Sequence, residues 1–270
     1  MSDIKVGVIG CGNMASSIVL GIHRVYPTIL FKTFTPGHTR AKELAVKVKG
    51  EHASSLDDLN DCDVILIGCK PQQFNELAEN LKKSKLTLNK HFISMMAATS
   101  FQTLKANLPE ARLTRVMPNT PITLGAGITL ILNDKDITDK EEALTLKLFS
   151  ACSQVHMMES EKMLDQVTTV SGCGPAYVFL FAKTFCDELI TFGVKESEAR
   201  KMVVELFKGS ALLMESEQDI SLETLIRNVT SKGGVTIEAV NLYKKMSLND
   251  ITHKALEAAY KRSIEITSMA

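Results

Sequence analysis

The sequence predicts an α/β fold, a doubly wound parallel sheet followed by an all-helical C-terminal domain. From residue 4 to about 161, short apolar runs alternate with longer amphipathic segments, which is typical of strand–helix–strand crossover units. After Glu161 the apolar residues recur at helical spacing instead. The chain has 270 residues, more than one domain usually holds, so we expect two domains, 1–161 and 162–270.

Each strand is assigned from a short apolar run bounded by polar residues or glycine. The predicted strands are 4–9, 29–35, 64–69, 92–96, 112–117 and 127–132. Helices are predicted at 13–26 and 39–47, after the first and second strands.

Two apolar helical faces are predicted in the C-terminal domain. The first consists of Val178, Phe181, Ala182, Phe185 and Leu189, and the second of Ala199, Val203, Leu206, Phe207, Ser210, Leu213 and Met214. Gly193 resembles a helix stop after the first face. Apolar faces need partners, so we expect these helices to pack on one another and on a second subunit.

The composition narrows the class of protein. Lysine plus arginine and aspartate plus glutamate each number 31, so the formal net charge is zero, which argues against bulk attraction to nucleic acid or anionic membranes. No apolar run approaches the roughly 20 residues of a membrane span, and no signal peptide is recognised. The six cysteines lack zinc-ligand spacing. We expect no metal site and a cytoplasmic location.

The clearest motif is the segment Val6-Gly-Val-Ile-Gly10-Cys-Gly12-Asn-Met-Ala15, a strand that leads through G-x-G-x-x-A into a helix. Gly10 suits the tight turn, Gly12 lets the backbone approach a pyrophosphate, and Ala15 permits close helix–strand packing. The helix N-terminus offers free N–H groups to the anion. This context predicts a Rossmann dinucleotide-binding domain. A tight turn without a ligand is the alternative.

The end of the second predicted strand bears on the choice of cofactor. An acidic residue there would bind the ribose 2′-hydroxyl of NAD, but the chain reads Phe34-Thr35-Pro36-Gly37-His38-Thr39-Arg40. The hydroxyl of Thr35 and the cation of Arg40 suit a 2′-phosphate better. We therefore predict NADP(H) as the cofactor, with NAD(H) as the alternative. Arg40 is predicted to contact it, unless it is an ordinary surface arginine.

Four later motifs point to one family. They are Gly68-Cys-Lys-Pro-Gln72, Arg115-Val-Met-Pro-Asn-Thr-Pro121, Ser171-Gly-Cys-Gly-Pro-Ala-Tyr177 and Val229-Thr-Ser-Lys-Gly-Gly-Val-Thr-Ile237. In this order and spacing the chain resembles pyrroline-5-carboxylate reductases over nearly its whole length. The resemblance implies a homodimer, with larger assemblies of dimers as an extension. It also implies an oxidoreductase that transfers hydride from NAD(P)H to 1-pyrroline-5-carboxylate and forms L-proline, the last step of proline biosynthesis.

The resemblance implies a set of cofactor-binding residues. They are Ile9, Gly10, Cys11, Gly12, Asn13, Met14, Thr35, Ser55, Cys69, Lys70, Pro71, Ala97 and Asn119. Lys70 and Asn119 also follow strands, where a doubly wound sheet holds its ligand. A surface lysine is the alternative for Lys70.

The substrate residues implied by the resemblance fall mainly in the helical domain. They are Glu161, Asn228, Ser231, Gly233, Gly234, Val235 and Thr236. Gly233 and Gly234 can present consecutive N–H groups to a carboxylate, and the Thr236 hydroxyl can bond the ring nitrogen as the catalytic residue. The alternatives are a glycine turn with Thr236 as helix N-cap, and an ordinary first-turn carboxylate at Glu161.

The chain departs from the family pattern at several positions. Lys232 replaces a proline, Val235 a smaller residue, and Met96 and Ala98 replace alanine and glycine. The six histidines are dispersed and none lies in the motifs, which disfavours an imidazole general acid. Two alternatives stay open: a related imine or hydroxy-acid reductase with the same domain plan, and a weakly catalytic dinucleotide-binding regulatory protein.

Overall fold

The sheet contains the six predicted strands and two strands that the sequence did not predict. The computed structural model describes residues 4–269, so the ends of the two predicted domain ranges, 1–3 and 270, lie outside the described residues. The strands are β1 Lys5–Ile9, β2 Leu30–Phe34, β3 Glu51–His52, β4 Val64–Ile67, β5 His91–Ser94, β6 Arg112–Pro118, β7 Gly127–Asn133 and β8 Ser153–Met157.

Within residues 4–269 these strands form one eight-stranded sheet in the order β3-β2-β1-β4-β5-β6-β7-β8. Strand β1 pairs in parallel with both β2 and β4, so the strand order reverses at β1, as it does at the switch point of a doubly wound sheet. All four side chains of β4, Val-Ile-Leu-Ile, are buried, as expected for a parallel strand covered on both faces. The predicted fold class is confirmed.

One pair of strands departs from the predicted parallel sheet. Strands β6 and β7 are antiparallel, with Thr114 opposite Asn133. Only residues 119–126 connect them, whereas a parallel crossover needs a dozen residues or more. The strictly parallel arrangement predicted from the sequence is therefore wrong at this pair.

The six predicted strands are confirmed, and two strands were missed. Strand β3 has only two residues, too few for a periodic signal. Strand β8 reads Ser-Gln-Val-His-Met and is largely exposed. Because polar residues interrupt its apolar ones, it forms no apolar run in the sequence.

The helices cover the sheet and make up the C-terminal part. Among the described residues they are α1 Asn13–Val25, α2 Thr39–Lys47, α3 Phe74–Lys83, α4 Phe101–Asn107, α5 Asp139–Ser150, α6 Glu161–Ser171, α7 Gly174–Thr191, α8 Glu196–Ser216, α9 Leu222–Asn228, α10 Val235–Lys245 and α11 Leu248–Met269. Helices α1 and α2 agree with their predictions. Gly193 follows α7 with a φ of +90°, which confirms the predicted helix stop.

Apolar clusters lie on both faces of the sheet. On one face Ile18 and Ile22 of α1 and Phe149 of α5 pack in one buried cluster. On the other, Leu77 of α3 and Phe92 of β5 belong to a second buried cluster. Because both faces are covered, the sheet is accessible to a ligand mainly at its strand ends and in the loops that follow them.

The chain divides into two compact units. The first comprises the described parts of 1–173 and 259–270, and the second comprises 174–258. In the second unit Phe185 packs edge-on against Phe181 at 5.3 Å and lies 6.1 Å from Phe207, ring centre to ring centre. The Phe185–Phe207 contact joins α7 to α8. None of the helices within 4–269 is long and apolar enough to cross a membrane.

Many apolar side chains of the second unit stay exposed in the single chain. They include Val178, Phe179, Leu180, Phe192, Leu206, Leu213 and Met214. Phe179 and Phe192 are 67% and 77% exposed. The predicted faces are thus only partly covered by the helices of the same chain.

Candidate functional site

A groove of about 850 Å³ lies at the carboxyl ends of β1, β2 and β4. The structure brings these predicted cofactor residues together along its walls: Ile9, Gly10, Cys11, Gly12, Thr35, Arg40, Ser55, Cys69 and Lys70. The carboxyl ends at the switch point are where a doubly wound sheet holds its ligand. The groove is therefore the candidate cofactor site, and the contact made by each residue stays a prediction.

The turn between β1 and α1 requires glycine at one position and leaves open space at another. Gly10 has a φ of +91°, and a Cβ there would lie 2.6 Å from the backbone nitrogen of Cys69. Gly12 has ordinary φ, and a Cβ there would meet nothing within 4 Å. The backbone at Gly12 is thus open to a ligand.

The N-terminus of α1 begins at this turn and is suited to an anion. Gly12 is the N-cap, no side chain caps the helix, and its first turn contains no acidic residue. The N–H groups of the first turn and the positive end of the helix dipole therefore remain available. The combination of open backbone and uncapped helix fits the pyrophosphate of a dinucleotide.

The charged wall of the groove has no carboxylate at the end of β2. Arg40, Lys70 and Lys83 supply positive charge, and Asp57 and Glu76 supply negative charge. Thr35 follows β2 directly and is half-buried.

Two histidines that looked dispersed in the sequence meet at this wall. His38 lines the groove, and its Nδ1 lies 3.1 Å from Nε2 of His52. His52 belongs to the short strand β3, opposite Thr33 of β2. Sequence reasoning missed the pair because two-residue β3 carries no periodic pattern.

Four other predicted cofactor residues are not among the residues that line the groove. Asn13 and Met14 begin α1, Pro71 begins the short 3-10 turn Pro71–Gln73, and Ala97 is exposed in the loop after β5. Their predicted contacts remain untested.

Asn119 uses its side chain within the protein. Its Nδ2 donates to the carbonyl of Ser171 and its Oδ1 accepts from the backbone N–H of Ile128, both at 2.9 Å. The residue is only 5% exposed. The amide therefore braces the turn between β6 and β7, and a cofactor contact by Asn119 stays a prediction.

The thiols beside the groove are protonated. Burial raises the pKa of Cys11 to about 12 and that of Cys69 to about 11. Cys69 Sγ also lies 3.5 Å from Met96 Sδ. Because the thiolate is the nucleophile, these side chains line the groove as small apolar groups at neutral pH.

Glu161 is the first residue of α6 and accepts two hydrogen bonds. Its Oε1 lies 2.6 Å from Nη1 of Arg115 and 2.7 Å from the backbone nitrogen of Phe101. Ser160 caps the helix. A structural role for the carboxylate is therefore supported, and its predicted contact with substrate stays a prediction. Sequence reasoning identified the motif that contains Arg115 without assigning this residue a partner.

The predicted substrate loop leads from α9 into α10. Asn228 is the last residue of α9. Gly233 has a φ of +73°, and the N–H of Gly234 donates to the carbonyl of Ser231 at 3.0 Å. Glycine suits position 233 because of its positive φ. It suits position 234 because a Cβ there would clash with Ser231 Oγ.

The N-cap of α10 is Gly234, not Thr236. Thr236 is the second residue of the helix and is exposed, and Val235 is 91% exposed. The alternative reading of Thr236 as the cap is therefore wrong, and its hydroxyl is accessible. Among residues 4–269 no group of three or more His, Cys, Asp or Glu side chains could hold a metal ion.

Two family models match the chain. The model described as "Pyrroline-5-carboxylate reductase dimerisation" covers residues 161–266, and the model "NADP oxidoreductase coenzyme F420-dependent" covers 5–98.

Curated relatives match over the full length. The pyrroline-5-carboxylate reductase of Vibrio alginolyticus is 31% identical, with 100% of both chains covered. That of Arabidopsis thaliana is also 31% identical and covers 98% of this chain and 96% of its own. The similarity therefore includes both the residues that line the groove and the 231–236 loop.

Solved structures agree. A Plasmodium falciparum pyrroline carboxylate reductase with NADP bound has a TM-score of 0.85 at 27% identity, covering 98% of this chain and 100% of that one. The enzyme of Streptococcus pyogenes has a TM-score of 0.87 at 25% identity, with the same coverage. A reductive aminase from Aspergillus terreus, 13% identical with a TM-score of 0.58, shares the fold alone.

Proposed function

Because this chain belongs to the pyrroline-5-carboxylate reductase family, we propose that it reduces 1-pyrroline-5-carboxylate to L-proline with NADPH. The observation that carries the proposal is 31% identity to a pyrroline-5-carboxylate reductase over the whole of both chains. In the net reaction one imine, one NADPH and one proton give one proline and one NADP⁺.

The groove supports the cofactor part of the proposal. The open backbone at Gly12 and the uncapped N-terminus of α1 would hold the pyrophosphate. Thr35 and Arg40 would face the 2′-phosphate, since no carboxylate follows β2. The proposed cofactor set is completed by Ile9, Gly10, Cys11, Asn13, Met14, Ser55, Cys69, Lys70, Pro71, Ala97 and Asn119. When bound, NADPH supplies the hydride that the imine carbon accepts.

The 231–236 loop supports the substrate part. The N–H of Gly234 is engaged with the Ser231 carbonyl, so the N–H of Gly233 and the uncapped first turn of α10 would bind the substrate carboxylate, with Gly234 shaping the turn. The exposed Thr236 hydroxyl would hydrogen-bond the ring nitrogen and orient the imine. A protonated imine is already a good electrophile, so a strong general acid is not needed. Asn228, Ser231, Val235 and Glu161 complete the proposed substrate set.

We assign residues 1–161 to cofactor binding and 162–270 to substrate binding and dimerisation. The match of residues 161–266 to a dimerisation model and the exposed apolar side chains on α7 and α8 support a homodimer. Assembly of dimers into larger homo-oligomers and a cytoplasmic location are further parts of the proposal.

Substitution of Thr236 tests the substrate assignment. We expect Thr236→Ala to lower kcat/KM for the imine by about 10- to 100-fold, the usual effect of one lost hydrogen bond to a charged or developing group. The Kd for NADPH should not change. The matched control is Thr230→Ala in the same region, because the Thr230 hydroxyl donates to the Ile226 carbonyl at 2.9 Å. Equal kcat/KM for both variants would remove Thr236 from catalysis.

The same assay separates the alternatives. Turnover with a 2-oxo acid but not with cyclic imines would favour the hydroxy-acid reductase. Tight NADPH binding without turnover of any of these substrates would favour a regulatory protein.

A further inference from the structure

The side chain of His38 is fixed at the wall of the groove. Its Nδ1 is 3.1 Å from His52 Nε2, and its ring packs edge-on against Phe34 with 6.0 Å between ring centres. The ring is therefore held from two sides. No contact found within the described part of the chain uses Nε2 of His38.

The backbone at His38 is strained. Its φ is +55°, a conformation that costs a non-glycine residue roughly 1–2 kcal/mol. His38 is also the residue before α2, yet its side chain does not cap the helix. Strain of this kind persists where the surroundings fix it, and it clusters at ligand sites.

His38 lies in the turn that would meet the adenosine ribose of a bound dinucleotide. The turn after β2, from Thr35 to Arg40, lines the groove together with Ser54 and Ser55. In a Rossmann domain the residues after the second strand meet the adenosine ribose and decide between its 2′-hydroxyl and 2′-phosphate. His38 lies within this turn.

The hydrogen bond between the two rings determines how the pair can titrate. An imidazole–imidazole bond needs one donor and one acceptor, so the pair keeps its bond when neutral or when it carries one added proton. Two added protons would leave two donors face to face. The pair can therefore take up a single proton without losing its geometry.

The surroundings of His52 disfavour its protonated form. Burial, His38 and Lys42 lower the pKa of His52, and Asp58 raises it. The carboxylate of Asp58 is already held by Ser54 and Ser55, and that of Glu51 by Lys32. Arg40 and Asp57 face the same groove. A phosphate group beside the pair would add the negative charge that favours proton uptake.

From this geometry we infer that the His38–His52 pair selects the phosphorylated ribose of NADPH by taking up one proton when that phosphate binds. The inference rests on the proposed function, because it requires that the groove binds NADPH. The selection of NADPH over NADH, predicted from the sequence at Thr35 and Arg40, is thereby assigned to the two histidines. A bound phosphate favours the form of the pair that carries the added proton. Affinity for NADPH should therefore be highest at low pH and fall as the pH rises and this proton is lost.

Calorimetric titration of the full-length protein with NADPH and with NADH tests the inference between pH 6 and pH 9, in buffers of different ionisation enthalpy. We expect proton uptake with NADPH only. The preference for NADPH over NADH should fall by about tenfold or more across this range, since each unit of pKa shift is tenfold in affinity. His52→Gln and His38→Asn should abolish both effects and leave only the proton exchange of the 2′-phosphate itself. Asparagine is chosen at 38 because it tolerates positive φ.

The matched control is His156→Gln, an exposed histidine of β8 outside the groove, which should behave as wild type. The 2′-phosphate itself titrates near pH 6, and this background persists in all variants. Equal proton uptake and an equal pH-dependence of selectivity in wild type, His52→Gln and His38→Asn would overturn the inference while leaving NADPH binding intact. Failure of the wild type to bind NADPH would overturn both the inference and the proposed function.

Discussion

The guanidinium of Arg115, inside the sheet, holds the carboxylate of Glu161 at the first turn of α6, with Nη1 and Oε1 2.6 Å apart. Arg115 is 1% exposed and also contacts Asp165 at 3.0 Å. Burial raises the pKa of Asp165 in spite of the favourable charge of Arg115. One buried cation thus ties β6 to two successive turns of the helix that opens the C-terminal sequence.

Removal of this cation should destabilise the protein. We expect Arg115→Met to lower the free energy of unfolding by roughly 3 kcal/mol, because it leaves two partly buried carboxylates without their cation. Denaturant unfolding measures the change. Arg262→Met, which removes an exposed ion pair with Glu265, should cost at most about 0.5 kcal/mol. Equal losses in the two variants would contradict the structural role of Arg115.

The two glycines of the first turn should respond in opposite ways to alanine. Gly12→Ala adds a Cβ in open space at an ordinary φ, so the free energy of unfolding should stay within about 0.5 kcal/mol. The Kd for NADPH should rise at least about tenfold, because the methyl group occupies the place of the pyrophosphate.

Gly10→Ala should instead destabilise the fold by about 2 kcal/mol or more, since it combines positive φ with a contact of 2.6 Å to Cys69. Unfolding curves and cofactor titrations on both variants measure these effects. Unchanged NADPH affinity in a folded Gly12→Ala protein would place the cofactor elsewhere.

His91 should make stability depend on pH. Its side chain is fully buried, and burial lowers its pKa from 6.5 to about 4. Its Nε2 lies 3.0 Å from Thr114 Oγ1, which donates to Asn133, while Nδ1 has no partner among the described residues. Protonation would therefore bury an unpaired donor.

The unfolded chain binds this proton between pH 6.5 and 4, and the native protein does not. Neutral His91 therefore imposes no loss of stability above pH 6.5. As the pH falls from 6.5 to 4, the free energy of unfolding should decrease by roughly 3 kcal/mol. His91→Gln should remove this component from the pH dependence of the unfolding free energy. The exposed His156→Gln should not; if both variants retain the wild-type slope, His91 is not its source.

Ala98 should accept glycine with a gain in stability. Its φ is +52°, which costs an alanine roughly 1–2 kcal/mol, against an entropic cost of about 0.5–1 kcal/mol for glycine. Ala98→Gly should therefore raise the free energy of unfolding by about 0.5 kcal/mol. Ala255→Gly, in the exposed interior of α11, should lower it by about 1 kcal/mol. A loss of stability in both variants would show that Ala98 is not strained.

The sequence predicts the parts of the fold that rest on local pattern. The strand–glycine–helix segment around Gly10 and Gly12 is recognisable because backbone conformation and ligand approach both demand small residues there. The antiparallel pair β6–β7 was missed because strand direction depends on the length of the connection and not on the strands' own composition.

The pairing of side chains distant in sequence could not be predicted. His38 and His52 meet only because two-residue β3 joins the sheet edge, and Arg115 meets Glu161 across 46 positions. Each contact depends on tertiary packing. Thr236 was placed correctly near a helix start, but the cap itself is Gly234.

The stoichiometry of the reaction tests most directly whether the protein reduces 1-pyrroline-5-carboxylate with NADPH. Purified protein is mixed with NADPH and 1-pyrroline-5-carboxylate, and NADPH loss is followed by absorbance while proline is quantified by chromatography. We expect one proline to form for each NADPH oxidised, and neither change to occur without protein. NADPH binding with no proline formed would contradict this expectation.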